Sequence, residues 1–116
     1  PHQAAILLAL LALLLRRQAG AMTILTLLAM LAVMVSGGIG VFHAGVEYGF
    51  WPGPACSAGG TGPVSMEDLM AGPVVACDKP QWTLLGISLA GFNALFSFAG
   101  AALIWGAVRR QRTPAA

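Results

Sequence analysis

Long apolar runs alternate with short polar groups along the chain. The uncharged apolar stretches extend from Ala4 to Leu15, from Ala21 to Val46 and from Pro80 to Val108. A helix needs about 20 consecutive apolar residues to cross a bilayer core, so the second and third stretches predict membrane-spanning helices. Residues 1–15 make a helix of only about 22 Å. We interpret them as a third spanning helix with its outer end cut short, because no polar face interrupts the leucines.

Composition supports the same fold class. Of the 116 residues, 58% are hydrophobic and 9% are charged, whereas about a quarter are charged in an ordinary soluble domain. The chain is too hydrophobic for an intrinsically disordered protein. Its net charge of +2 is too small for nucleic-acid binding through phosphate neutralisation. The sequence therefore predicts an all-α membrane protein, an antiparallel transmembrane helical bundle in one domain over residues 1–116.

The positive charges predict the topology. Arg16 and Arg17 follow the first apolar stretch, and the arginines from Arg109 to Arg112 follow the third. Because cytoplasmic loops are enriched in Lys and Arg, both clusters are expected inside. The predicted helices are about 1–15, 21–45 and 83–108, with a long outer loop at about 46–81. In a bacterium this corresponds to a multi-pass protein of the inner (cytoplasmic) membrane with a periplasmic loop.

Small and polar residues on the predicted helices suggest contacts between them. Small residues recur at intervals of four: Ser36, Gly40 and Ala44 in one helix, and Gly86, Ala90 and Ala94 in the other. Such stripes let helices approach closely in lipid, but Gly and Ala are common throughout this chain, so both explanations stay open. Asn93 lies within an apolar run, and we expect its side chain to bond to a neighbouring helix.

The outer loop holds the only two cysteines, Cys56 and Cys77. The periplasm permits disulfides, and two cysteines without a nearby histidine are too few for a structural zinc site, so we predict a disulfide and no metal. A glycine-rich loop offers little core for a structural disulfide to stabilise, and an exposed disulfide can exchange with an incoming thiolate. Only Lys79 is close enough in sequence to lower a thiol pKa. These residues leave a structural and a redox-active role open.

Two longer segments carry a family resemblance. The sequences FHAGVEYGFWPGPACS and CDKPQWTLLGISLAGFNALFS resemble the disulfide bond formation protein B (DsbB) family. The most specific features are the His43-to-Cys56 spacing, the Cys77-Asp78 pair, and Trp82 followed by a Leu-Leu-Gly sequence. The resemblance implies a four-helix inner-membrane enzyme that reoxidises a periplasmic, thioredoxin-like thiol oxidase (DsbA-like). The resemblance further implies that this membrane enzyme passes the electrons to a quinone, either ubiquinone or menaquinone.

The resemblance also implies roles for individual residues. Cys56 and Cys77 match the family's catalytic pair that meets the partner protein, with Cys56 as the expected site of the mixed disulfide. His43 matches a quinone-site histidine; the alternative is a helix-end histidine bonded to Glu47 or to lipid headgroups. The role of Glu47 stays undecided, and none is predicted for His2.

Part of the family pattern has no counterpart here. The Cys-x-x-Cys that follows the family's first helix, and the Gln-Arg-Trp segment after it, do not occur in this sequence. We therefore expect a piece of a DsbB-like protein, with three of the family's four helices. The alternative function, from a different class, is a small membrane scaffold protein whose outer loop is held by a structural disulfide.

Overall fold

The computed structural model describes residues 1–53, 66 and 79–112, the side chain of the last residue excepted. Residues 1–53 and 79–112 form three helices and one short hairpin. The elements are α1 (His2–Leu14), α2 (Ala19–Glu47), β1 (Thr83–Leu84), β2 (Ile87–Ser88) and α3 (Leu89–Arg112). The predicted all-α helical bundle is confirmed, and α2 and α3 are long and apolar enough to cross a membrane. The shorter α1 is also apolar.

The central helix of the bundle is α2, which packs against both α1 and α3. Gly40 lies at the closest approach to α3, where an added Cβ would come within 2.9 Å of the Ala90 carbonyl oxygen and 3.0 Å of the Ala94 amide nitrogen. Gly37 faces the Ser97 Cβ in the same way, at 3.1 Å. The small-residue stripe of α2 therefore marks a helix interface, because only glycine lets the two backbones come this close.

Large apolar side chains cover the outside of the bundle. Leu14 is 80% exposed, Leu103 76% and Phe96 72%, whereas the buried apolar side chains are mostly alanines such as Ala29 and Ala101. Without a large apolar core, helices in lipid associate through close packing of small residues. The distribution is that of a membrane protein, with leucine and phenylalanine facing outward.

The two arginine clusters share one end of the bundle, here called the inner end. A cavity of about 430 Å³ there is lined by Leu13 of α1, Met22 of α2 and Gln111 of α3, so the ends of all three helices meet. Arg16 and Arg17 lie in the α1–α2 turn, and Arg109 lies in the last turns of α3 over the Trp105 ring. The opposite end is called the outer end.

Helix α2 ends in a Schellman motif. The Gly49 amide donates to the Val46 carbonyl (3.1 Å) and the Phe50 amide donates to the Gly45 carbonyl (2.8 Å). Gly49 adopts φ +74°, which glycine tolerates without a steric penalty. These bonds satisfy the last carbonyls of the helix and turn the chain back over its own end. Helix α2 thus extends to Glu47, beyond the predicted end at residue 45.

The third helix begins later than the sequence suggested. Residues 83–88, predicted to be helical, form the hairpin, in which Thr83 pairs with Ser88 and Leu84 pairs with Ile87. The turn between them is made by Leu85 and Gly86, both with positive φ (54° and 79°). Ser88 then caps α3, because its hydroxyl oxygen accepts the Gly91 amide at 3.2 Å.

Candidate functional site

The chemistry predicted from the sequence belongs to the segment between α2 and α3. Cys56 and Cys77 lie outside the described residues, so their disulfide and its role stay predictions. The residues on either side of that segment are described, and they lie at the outer end of the bundle. Within the described part of the chain, no three His, Cys, Asp or Glu side chains come together as a metal site.

Tyr48 joins the two ends of this segment. Its hydroxyl donates to the Gly86 carbonyl oxygen at 2.8 Å and accepts the Ser88 amide at 2.8 Å. Tyr48 directly follows α2, and Ser88 directly precedes α3, so one phenol closes the connection that contains both cysteines. Ser88 is fully buried, so its amide has no access to water as an alternative partner.

An apolar cavity of about 370 Å³ opens beside Tyr48. Helix α2 lines it with Val41 and Ala44, and α3 lines it with Ala94 and Leu95. Trp51 closes one side: its ring lies against Gly45, at a distance that leaves no room for a Cβ there, and its indole N–H donates to the Phe42 carbonyl at 3.0 Å. The cavity is thus walled by both long helices and by aromatic side chains of the returning chain.

His43 lies on the outer part of α2 with its side chain exposed. The Phe42 ring stands edge-on to it, with centroids 6.0 Å apart. Although Glu47 follows one turn later, no hydrogen bond joins these two described residues. The Glu47 Oε2 atom is buried and has no hydrogen-bond partner. A buried carboxylate oxygen without a partner is costly, and such groups are frequent at functional sites.

A polar face continues from His43 and Glu47 toward the middle of α2. Ser36 is seven residues before His43, which places both on one side of the helix. The Ser36 hydroxyl shares a hydrogen bond of 3.0 Å with the His2 Nδ1 atom of α1. Sequence reasoning gave His2 no role, because its partner is 34 residues away and no local pattern connects them.

Asn93 of α3 connects that helix to the Ser36 position of α2. Its side-chain amide donates to the Ser36 carbonyl at 3.0 Å, and its side-chain oxygen accepts the Ser97 hydroxyl at 3.4 Å. The predicted bond from Asn93 to a neighbouring helix is confirmed. Ser36 and Ser97 are both buried, so these residues form a polar group among three otherwise apolar helices.

The family comparison decides the class of protein. The family model described as "Disulfide bond formation protein DsbB" matches residues 1–107. The chain belongs to the DsbB family. No curated protein and no solved structure matches it. DsbB-family proteins are helical membrane proteins of disulfide bond formation, which agrees with the three apolar helices found here.

The DsbB match also covers every site residue predicted from the sequence. Residues 1–107 include α1, α2, the hairpin and most of α3, together with Cys56, Cys77 and His43. A quinone requires hydrogen-bonding groups for its carbonyl oxygens and an apolar surface for its ring and tail. The exposed imidazole of His43 and the unpartnered Glu47 oxygen supply hydrogen-bonding groups, but neither residue lines the apolar cavity beside Tyr48.

Proposed function

We propose that this DsbB-family chain is a membrane thiol–disulfide oxidoreductase that reoxidises a periplasmic, DsbA-like dithiol protein and passes the electrons to a quinone. The observation that carries the proposal is the family match over residues 1–107, which includes both cysteines. The connection between α2 and α3 that contains the cysteines starts and ends opposite the arginines. With the arginines on the cytoplasmic side of the inner membrane, the cysteine segment is periplasmic.

The exchange step follows ordinary disulfide chemistry. A thiolate of the reduced partner attacks Cys56 of the Cys56–Cys77 disulfide, a mixed disulfide forms, and Cys77 leaves as a thiolate. The second thiol of the partner, after losing its proton, attacks the partner's own sulfur in the mixed disulfide and releases Cys56. The partner is thereby oxidised to its disulfide, and Cys56 and Cys77 hold the two electrons as thiols.

The electron acceptor is assigned to the polar face of α2. A bound quinone supplies a two-electron, two-proton acceptor. His43 would hold this group by donating a hydrogen bond through its exposed ring, beside the edge-on Phe42 ring. Glu47 lies one turn further out on the same face, with its buried Oε2 atom without a partner.

A trapping experiment tests the exchange step. The oxidised protein is mixed with a reduced DsbA-like protein that retains only its attacking cysteine, and free thiols are then alkylated. We expect a mixed disulfide that mass spectrometry locates at Cys56, because the partner has no second thiol to resolve it. The double variant C56S/C77S is the control and forms no adduct. If no adduct forms and the native bond also resists a glutathione buffer, the disulfide is structural and the scaffold alternative holds.

A separate experiment tests the acceptor site. Quinone reduction by the full-length protein, reconstituted with reduced partner, is followed spectroscopically alongside the rate of partner oxidation in a single turnover. H43A is expected to slow quinone reduction and to leave the first disulfide exchange unchanged, since His43 contacts only the acceptor. An unchanged quinone rate removes His43 from the site.

A further inference from the structure

The turn of the hairpin has an unusual residue at its tip. Leu85 and Gly86 both have positive φ and lie between the paired residues Leu84 and Ile87, which defines a two-residue hairpin turn. Turns of this kind favour Asn-Gly or Gly-Gly, because residues with a large side chain rarely adopt positive φ. Leucine is therefore a poor choice for the backbone. Its side chain is 92% exposed, so packing within the chain offers little compensation for this conformation.

Other exposed apolar side chains surround Leu85. Trp82 is 52% exposed, Leu84 51% and Leu89 68%. We call Trp82, Leu84, Leu85 and Leu89 the hairpin tip. Several exposed large apolar residues within one short segment mark a surface that another apolar medium or molecule covers.

Two observations identify lipid as that medium. The hairpin continues directly into α3, a helix long and apolar enough to span the membrane, so the tip starts at the level where this helix emerges. No charged residue occurs from Pro80 to Val108, whereas Lys79, just before the hairpin, is exposed. Tryptophan beside a lysine is typical of the membrane–water interface, where the ammonium group reaches the lipid phosphates.

The backbone of the hairpin is also compatible with lipid. Its strands pair with each other, and the Gly86 carbonyl and the Ser88 amide are both bonded to the Tyr48 hydroxyl. Non-helical backbone enters an apolar layer only when its polar groups are satisfied within the protein. Tyr48 therefore satisfies two backbone groups of the hairpin that would otherwise face the acyl chains without a partner.

We propose that the hairpin tip inserts into the headgroup–acyl boundary of the outer leaflet, with Leu85 as its deepest residue. The insertion fixes the height of the start of α3 relative to the membrane surface. This role depends on the helical membrane fold alone and not on the disulfide exchange proposed above.

Fluorine NMR of the full chain carrying 5-fluorotryptophan tests the insertion. The protein is reconstituted in phosphatidylcholine–phosphatidylglycerol vesicles, and W82F assigns the Trp82 signal. The broadening of this signal is compared for two paramagnetic probes. One is a lipid with a paramagnetic label near the top of its acyl chain, and the other is a water-soluble paramagnetic chelate. We expect the lipid label to broaden the Trp82 signal strongly and the chelate to broaden it little.

Two substitutions at Leu85 sharpen the test. L85N suits the positive φ of the turn but removes the apolar side chain, and it is expected to raise broadening of Trp82 by the chelate severalfold. L85M keeps an apolar side chain of similar size and should behave as the native chain. Circular dichroism verifies that the helices persist in both variants.

The proposal is overturned if the chelate reaches Trp82 in vesicles as well as it reaches a tryptophan peptide in solution. It is also overturned if L85N leaves the broadening unchanged. If that variant instead slows exchange with the DsbA-like protein at unchanged depth, the tip is a protein-docking surface.

Discussion

Replacing Tyr48 by phenylalanine tests how the outer end of the bundle is held together. The substitution removes one oxygen atom, and with it the bonds to the Gly86 carbonyl and the Ser88 amide, both 2.8 Å long. A hydrogen bond contributes about 1 kcal/mol net, and a buried amide left without a partner costs about 1–3 kcal/mol. The Gly86 carbonyl belongs to an exposed residue and can find another partner, whereas the amide of the fully buried Ser88 cannot. We estimate a loss of about 1.5–2 kcal/mol in the local stability of the docked hairpin.

Hydrogen exchange of the Ser88 amide measures this loss directly. Local opening of the hairpin exposes the amide, so a decrease of about 1.5–2 kcal/mol predicts exchange about 10- to 30-fold faster in Y48F. The matched control is T26V, which removes a hydroxyl bonded to the Met22 carbonyl within its own helix. That substitution should leave the Ser88 amide unaffected.

Two results would refute the reasoning. A change below about twofold at Ser88 means that the phenol contributes no net stability to the hairpin. If hydrogen exchange of the amides in the last turns of α2 becomes faster by the same factor as that of Ser88, the whole outer end opens together. Tyr48 then does not act locally.

Three further substitutions test the helix interfaces, each measured as a shift in the unfolding midpoint in mixed micelles. G40A is expected to lower the stability by about 1–3 kcal/mol, because the added Cβ meets the α3 backbone. G38A is the control and should not destabilise the protein, because the Cβ added there meets no neighbouring element within 4 Å. Equal shifts of the midpoint in the two variants would contradict the packing. N93A removes the bond to the Ser36 carbonyl and should cost about 0.6–1.7 kcal/mol, so a stabilised variant would contradict its structural role. H2A should lower the stability less than N93A, because the freed Ser36 hydroxyl can bond to its own helix. A double-mutant cycle of H2A with S36A should give a coupling energy of about 0.5–1 kcal/mol. A coupling energy of zero would contradict the observed bond.

The sequence was sufficient for features that local patterns determine. Long uncharged runs predicted α2 and α3, because each run is long and apolar enough to cross a bilayer core. The polar Asn93 in an apolar run predicted a bond between helices, whereas the α2 stripe with Gly40 left a close helix contact as one of two explanations. Each of these patterns can be recognised from the residues of a single helix.

Features that depend on distant residues were missed. Leu84, Leu85 and Ile87 are as apolar as the helix that follows, so residues 83–88 were assigned to it. The hairpin lacks the Asn-Gly signal of its turn type, and its partner Tyr48 lies about 40 residues earlier. The Ser88 cap was a local signal of the true helix start that the prediction overlooked. The roles of Cys56, Cys77 and His43 rest on family membership and await the experiments above.

The central position of α2 sets the order in which the bundle assembles. Only the four residues 15–18 separate α1 from α2, whereas the 41 residues 48–88 separate α2 from α3. By the logarithmic dependence of loop-closure entropy on length, docking α3 costs about 2 kcal/mol more than docking α1. The α1–α2 pair therefore forms first during insertion, with one glycine face of α2 still facing lipid. The arrival of α3 at Gly37 and Gly40, followed by bonding of its hairpin to Tyr48, is the late step of folding. Substitutions at these residues should slow maturation of the protein more than substitutions between α1 and α2.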